Sequence, residues 1–151
     1  MTLGFTVHLF VGRPVAEVFE AIADPDQLSR YFTTGGAVGR LETGATVQWE
    51  FHDFPGQFPV EVVEVVPNER IVLRWEADDP TVVEPYLLTV TFRFAPTDDG
   101  RTRVEIEETG WHDLPASRAA SYGNCMGWSQ MLCALKAWVE HGINLREGAY
   151  A

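Results

Sequence analysis

The stretch from Cys125 to Val139 carries a single charge, Lys136, in fifteen residues. At helical spacing Cys125, Trp128, Leu132, Leu135 and Val139 fall on one stripe. Trp128, Met131, Leu135 and Trp138 form a second stripe beside it. Together they make an apolar arc wider than a helix on a flat sheet needs. Such a helix has to be covered on more than one side. Either a strongly curved sheet wraps it, or a sheet holds one side and a ligand or second subunit covers the rest. Gly123 and Gly127 lie inside the helical stretch, where each costs about 1 kcal/mol relative to alanine. A close helix–sheet approach is expected there, with a kink at a cavity mouth as the alternative.

The remainder of the chain reads largely as strands. Phe5 to Val11 alternates, and Gly12-Arg13-Pro14 breaks it, with Pro14 placed to begin a helix. Val15, Val18, Phe19 and Ile22 repeat with helical period as far as Asp24-Pro25. A second short helix, Asp26 to Phe32, ends at Thr34-Gly35-Gly36. Alternating runs then follow at residues 47–51, 60–66, 71–76, 86–94 and 104–107. Asp99-Gly100 marks a hairpin between the last two. With short turns and no helical spacers, the sheet is expected to be antiparallel with one wet face. A long helix, roughly Ser117 to Arg146, closes the chain, with Gly148 as its stop. The expected order is one strand, two short helices, five strands and one long helix, within a single domain over residues 1–151.

Composition excludes several classes of partner. The formal net charge of -11 argues against a nucleic-acid surface, which needs clustered Lys and Arg, and against anionic membranes. No basic and apolar leader opens the chain. The window Ala119 to Val139 is rejected as a membrane span, since Ser121, Asn124, Ser129, Gln130 and Lys136 interrupt it. Cys125 and Cys133 stand eight helical residues apart, ~12 Å, beyond the reach of a disulfide. Reduced cysteines fit a cytoplasmic protein.

Four local patterns carry a family resemblance. They are Val15 to Pro25, a helix ending in Asp-Pro; Leu28-Ser29-Arg30-Tyr31-Phe32, with its aromatic pair; Pro67 to Trp75; and Gly127-Trp128-Ser129-Gln130-Met131-Leu132, followed by Leu135-Lys136. In this order they resemble the START/Bet v1-like (SRPBCC) superfamily, and within it the AHSA1-like branch, homologues of the activator of Hsp90 ATPase. The resemblance spans nearly the whole chain. It implies an α+β helix-grip fold, a curved antiparallel sheet wrapped around the long C-terminal helix with an apolar cavity between them. It implies little about chemistry, because one fold hosts many functions.

Under that fold the facing set is Trp49, Phe51, Trp75, Leu88, Val90, Phe92, Trp111, Trp128, Met131 and Leu132. These residues suit a cavity for an apolar or aromatic molecule and suit a filled core equally. Glu108 shares the inward face of Val104 and Ile106 and would project near Trp111, where a buried carboxyl could serve as an acid or base. Arg74 and Tyr86 are the other polar groups near strand ends that could orient a ligand. The acidic loop 76–85 reads as a surface loop or a rim. His8, His52, His112 and His141 fit no metal-ligand spacing, and no HExxH, CxxC or G-x-S-x-G motif occurs. No catalytic residue, metal or cofactor is therefore expected. The expectation is a cytoplasmic binding domain for a hydrophobic small molecule. A cyclase-, dehydratase- or hydrolase-type enzyme using the same cavity, or a co-chaperone-like domain, are the alternatives. An Hsp90-like partner is not expected, because the eukaryotic activators carry a further N-terminal domain and here the first strand begins almost at Met1. Surplus apolar surface at Met131 and Trp138 would support a homodimer.

Overall fold

Period-two alternation becomes seven strands in the computed structural model, which describes residues 3–150. The chain runs β1 (Leu3–Val11), α1 (Val15–Ala23), α2 (Pro25–Tyr31), β2 (Gly36–Val38), β3 (Thr46–Phe51), β4 (Phe54–Val66), β5 (Arg70–Glu76), β6 (Leu87–Pro96), β7 (Thr102–Trp111) and α3 (Pro115–His141). All pairings are antiparallel, in the order β1-β7-β6-β5-β4-β3-β2. The curved sheet grips α3, which packs along β1 and β7. One strand more appears than the alternation implied. β2 is three residues long, too short to show a period, and is held at the sheet edge by β3.

Asp24 separates the two short helices by serving both. It is the last cap of α1, and its carboxylate accepts from the Asp26 N–H at 2.9 Å to open α2, with Pro25 at the first turn. Tyr31 is fully buried, and its hydroxyl donates to the Ala21 carbonyl at 2.8 Å, locking α2 onto α1. Burial pushes the Tyr31 phenol well above its ordinary range.

The wide apolar arc of α3 is covered by the chain itself. Trp128, Met131, Leu132 and Leu135 are buried in the main core. The far end of α3 packs against α1 and α2. Trp138 is half-buried there, with the Arg30 guanidinium 5.8 Å from its ring and Gln27 accepting from its N–H at 3.5 Å. Neither Met131 nor Trp138 is therefore free on the surface. A polar clip joins this end of the helix to the β1–α1 turn. Lys136 donates to the Phe10 carbonyl at 3.0 Å, and Glu140 accepts from the Gly12 N–H at 3.0 Å.

Two glycine expectations need correction. The helix stops at Gly142, not near Gly148, because Gly142 takes the left-handed conformation (φ 67°) and its N–H closes onto the last turn. Gly123 and Gly127 do not permit a close helix–sheet approach. A Cβ at either would meet nothing within 4 Å, since both face open space. Cys125 and Cys133 are free thiols, as their spacing required. Among the described residues, no helix is long and apolar enough to cross a membrane.

Candidate functional site

β4 begins seven residues before it acquires a partner on its β5 side. It pairs with β3 from Phe54, whereas pairing with β5 starts only at Glu61. Pro55 and Pro59 are tolerated in this overhang because a proline without an N–H belongs at an unpaired edge. The overhang leaves a cleft between the β3–β4 hairpin, the end of β5 and the first half of α3. One lobe, of about 360 Å³, is walled by Phe51, Phe54, Phe58 and Trp75, with Glu76, Asp78 and Asn124 at its margin. A second lobe, of about 330 Å³, shares Phe51, Phe54, Trp75 and Asn124. It runs past Gly127 and Trp128 to Arg146 and Tyr150. The glycines of α3 thus keep one wall of this lobe open.

The walls are rings in mutual contact. Phe51 and Phe58 stack with centroids 5.7 Å apart, Phe58 lies 5.9 Å from Trp75, and Trp75 lies 5.1 Å from Trp128. Edge and offset contacts of this kind hold each ring against its neighbours. At the mouth, Phe54 is 58% exposed and Met126 61% exposed.

Behind the rings stands Glu108, fully buried. β7 alternates inward through Thr102, Val104, Ile106 and Glu108, so the carboxyl enters the interior at the next inward position. Gly110, at φ 107°, then shifts the phase and turns Trp111 inward three residues later. One carboxyl oxygen accepts from the Trp111 indole at 2.9 Å and the Asn124 amide at 3.0 Å. The other accepts from Trp128 at 2.9 Å and Trp75 at 3.1 Å. Three indole N–H groups and an amide, drawn from β5, β7 and α3, converge on one side chain. All four partners donate, and no cation pairs with Glu108 among the described residues.

Two further polar groups flank the cleft. Arg146 forms an ion pair with Asp53, and its guanidinium lies 5.1 Å from the Phe51 ring and 4.8 Å from Tyr150. The loop after β5 is tied down by Asp79, which accepts from Ser117 at 2.6 Å, from Tyr86 and from Thr81. Burial pushes the Asp79 carboxyl up, but the hydrogen bonds from Ser117, Thr81 and Tyr86 outweigh it and hold the group well below the usual carboxylate range. Tyr86 in turn is raised, by burial and by its bond to Asp79. The loop is therefore fastened to the start of α3 as a fixed rim.

Of the residues singled out from sequence, Phe51, Trp75 and Trp128 line the cleft. Trp49, Val90, Phe92, Met131 and Leu132 lie in the main core, and Leu88 and Trp111 in a smaller cluster beside it. Tyr86 stacks on His112 at 3.8 Å and serves the rim. Arg74 is exposed and lines neither lobe of the cleft. Phe54, Phe58, Asn124 and Arg146 were not singled out. Phe54 and Phe58 precede the alternating run of β4 and are interrupted by prolines, so no period marked them. Arg146 was expected to end the long helix, but the helix stops at His141 and the chain beyond it carries Arg146 back to the cleft.

A family model for the activator of Hsp90 ATPase homologue 1-like proteins matches residues 13–140. The chain belongs to this family. Solved structures agree on the fold. Protein SSP2350 from Staphylococcus saprophyticus is 24% identical, with a TM-score of 0.78 over 95% of this chain and 96% of that one. Protein MLL2253 from Mesorhizobium loti is 21% identical, with a TM-score of 0.79 over 93% and 99%. The Aha1 dimer from Colwellia psychrerythraea is 17% identical, with a TM-score of 0.72 over 93% and 98%. At these identities the likeness shows the helix-grip fold alone. No curated protein is significantly similar in sequence. Within the family's helix-grip architecture, the cleft occupies the space between sheet and C-terminal helix.

Proposed function

We propose that this chain binds an apolar, aromatic small molecule in the cleft between the β3–β4 hairpin and α3. The observation that carries this reading is the continuous wall of Phe51, Phe54, Phe58, Trp75 and Trp128 around an open cavity. Such concave, mostly apolar sites with a few polar groups are the usual form of ligand pockets. Exposed Phe54 and Met126 at the mouth would lose their contact with water when the site fills. Glu108 holds Trp75 and Trp128 from behind and does not itself line the cleft, so it acts as a positioning residue for the walls. The free thiols support a cytoplasmic setting.

The test is native mass spectrometry of freshly purified protein, followed by extraction and a binding titration with a neutral aromatic alcohol. A co-purifying apolar molecule, or saturable binding weakened by Phe58→Ala, is expected. A clean mass together with no binding at millimolar probe contradicts the proposal. Stimulation of an Hsp90 ATPase is expected to be absent in a direct assay.

A further inference from the structure

The two ends of the cleft differ in charge. At the lobe lined by Phe58, the inner one, Glu76 and Asp78 stand on the margin, and neither has an ion-pair partner among the described residues. The lobe that reaches Arg146 and Tyr150 is the outer one. No lysine or arginine lines this lobe. The one cation at the outer lobe, Arg146, is already paired with Asp53 and seated against two rings.

The rings of the inner lobe reinforce this polarity. Phe51, Phe54, Phe58 and Trp75 line it, and the face of an aromatic ring carries the negative end of its quadrupole, which attracts organic cations. Trp75 carries an added bias, because its indole N–H donates to the buried Glu108 carboxyl at 3.1 Å. An acceptor drawing on the ring N–H shifts electron density into the π system and makes the face more attractive to a cation. An aromatic box with two unpaired carboxylates at its lip and a third carboxyl behind its largest ring discriminates by charge as well as by shape.

On the footing that the cleft is a ligand site, we propose that its ligand is a hydrophobic organic cation, an aromatic molecule bearing an amine or quaternary ammonium group. The apolar body lies along Trp75 and Trp128, and the cationic group enters the inner lobe between the rings and the Glu76–Asp78 lip. An anionic ligand of the same shape is repelled there, in a chain whose net charge of -11 adds to the field.

Three naphthalenes of matched size separate the cases by isothermal titration calorimetry at about 0.15 M ionic strength. They are 2-(1-naphthyl)ethylammonium, 2-(1-naphthyl)ethanol and 1-naphthylacetate. The ammonium is expected to bind about tenfold tighter than the alcohol, with the acetate weakest. The double variant Glu76→Gln/Asp78→Asn is expected to bring the ammonium-to-alcohol ratio close to one. The control Glu69→Gln/Asp98→Asn changes net charge equally, in turns at the opposite end of the sheet, and is expected to keep the ratio. Equal or tighter binding of the alcohol overturns the cationic ligand and leaves the cleft as a binding site. A ratio that survives the lip variant, or falls equally in the control, also overturns it, since the preference then reflects overall charge. Binding by none of the three overturns the ligand site itself.

Discussion

Replacing Glu108 with glutamine keeps the size of the side chain and removes half of its accepting capacity. In the native protein each carboxyl oxygen serves two donors, Trp111 with Asn124 and Trp128 with Trp75. An amide offers one oxygen and one NH₂, so one pair of donors must face another donor. The less costly placement puts the NH₂ toward Asn124, which can turn its own amide to accept. Trp111 then loses its partner, and at 2% exposure it cannot reach water. An orphaned buried donor costs about 1–3 kcal/mol, and each remaining bond falls from the charge-assisted to the neutral range. The sum is a loss of about 2–4 kcal/mol, which for a chain of this length lowers Tm by roughly 4–16 °C. Urea unfolding followed by tryptophan fluorescence would measure it, with an unchanged m value as evidence that the same surface unfolds. Glu107→Gln, on the wet face of the same strand, is the control and is expected to fall within about 0.5 kcal/mol of native. A loss below about 0.5 kcal/mol in Glu108→Gln would refute the argument that one carboxyl holds the three indoles.

Further expectations follow from single contacts. Tyr31→Phe removes the buried bond to Ala21 and is expected to cost about 0.5–1.5 kcal/mol in the same urea assay. Gly110→Ala places a side chain at φ 107° with its Cβ 3.3 Å from the Leu87 carbonyl, and should lower stability by about 1–3 kcal/mol, readable as a drop in Tm. Asp79 has its folded-state pKa depressed, so its contribution is present above the unfolded value of about 3.9 and is lost as pH falls toward the folded one. The stability gap between the native chain and Asp79→Asn should therefore be widest near neutrality and shrink below about pH 4. A gap that grows on acidification would show that the sign is wrong.

Much of the fold was legible because its determinants are periodic. Alternation located six of the seven strands, and the apolar arc of Trp128, Met131, Leu132 and Leu135 correctly demanded cover from several sides. Inward placement of Glu108 followed from counting along β7, which shares its face with Val104 and Ile106. Counting could not show that three tryptophans from different elements share that carboxyl, since Trp75, Trp111 and Trp128 meet only through strand order and helix docking. The cleft itself was legible only in outline. Its walls come from the proline-interrupted start of β4, and its floor from the choice between a core ring and a lining ring. Trp49 and Trp75 occupy equivalent inward positions on their strands, yet Trp49 is 1% exposed and Trp75 half-buried, because β4 pairs alongside Trp49 but its pairing with β5 stops at Arg74, one residue short of Trp75. Gly123 and Gly127 misled in the same way. A glycine in a helix signals that something is near, or that space is needed, and only the packing of the hairpin decides which.

The most direct test of the cleft as a ligand site is a heteronuclear NMR titration of the five indole N–H signals with 2-(1-naphthyl)ethanol. Saturable shifts of Trp75 and Trp128, with Trp138 unmoved in its contact with α2, are the expected result. No shift at millimolar probe, or movement at Trp138 while Trp75 stays still, would contradict it.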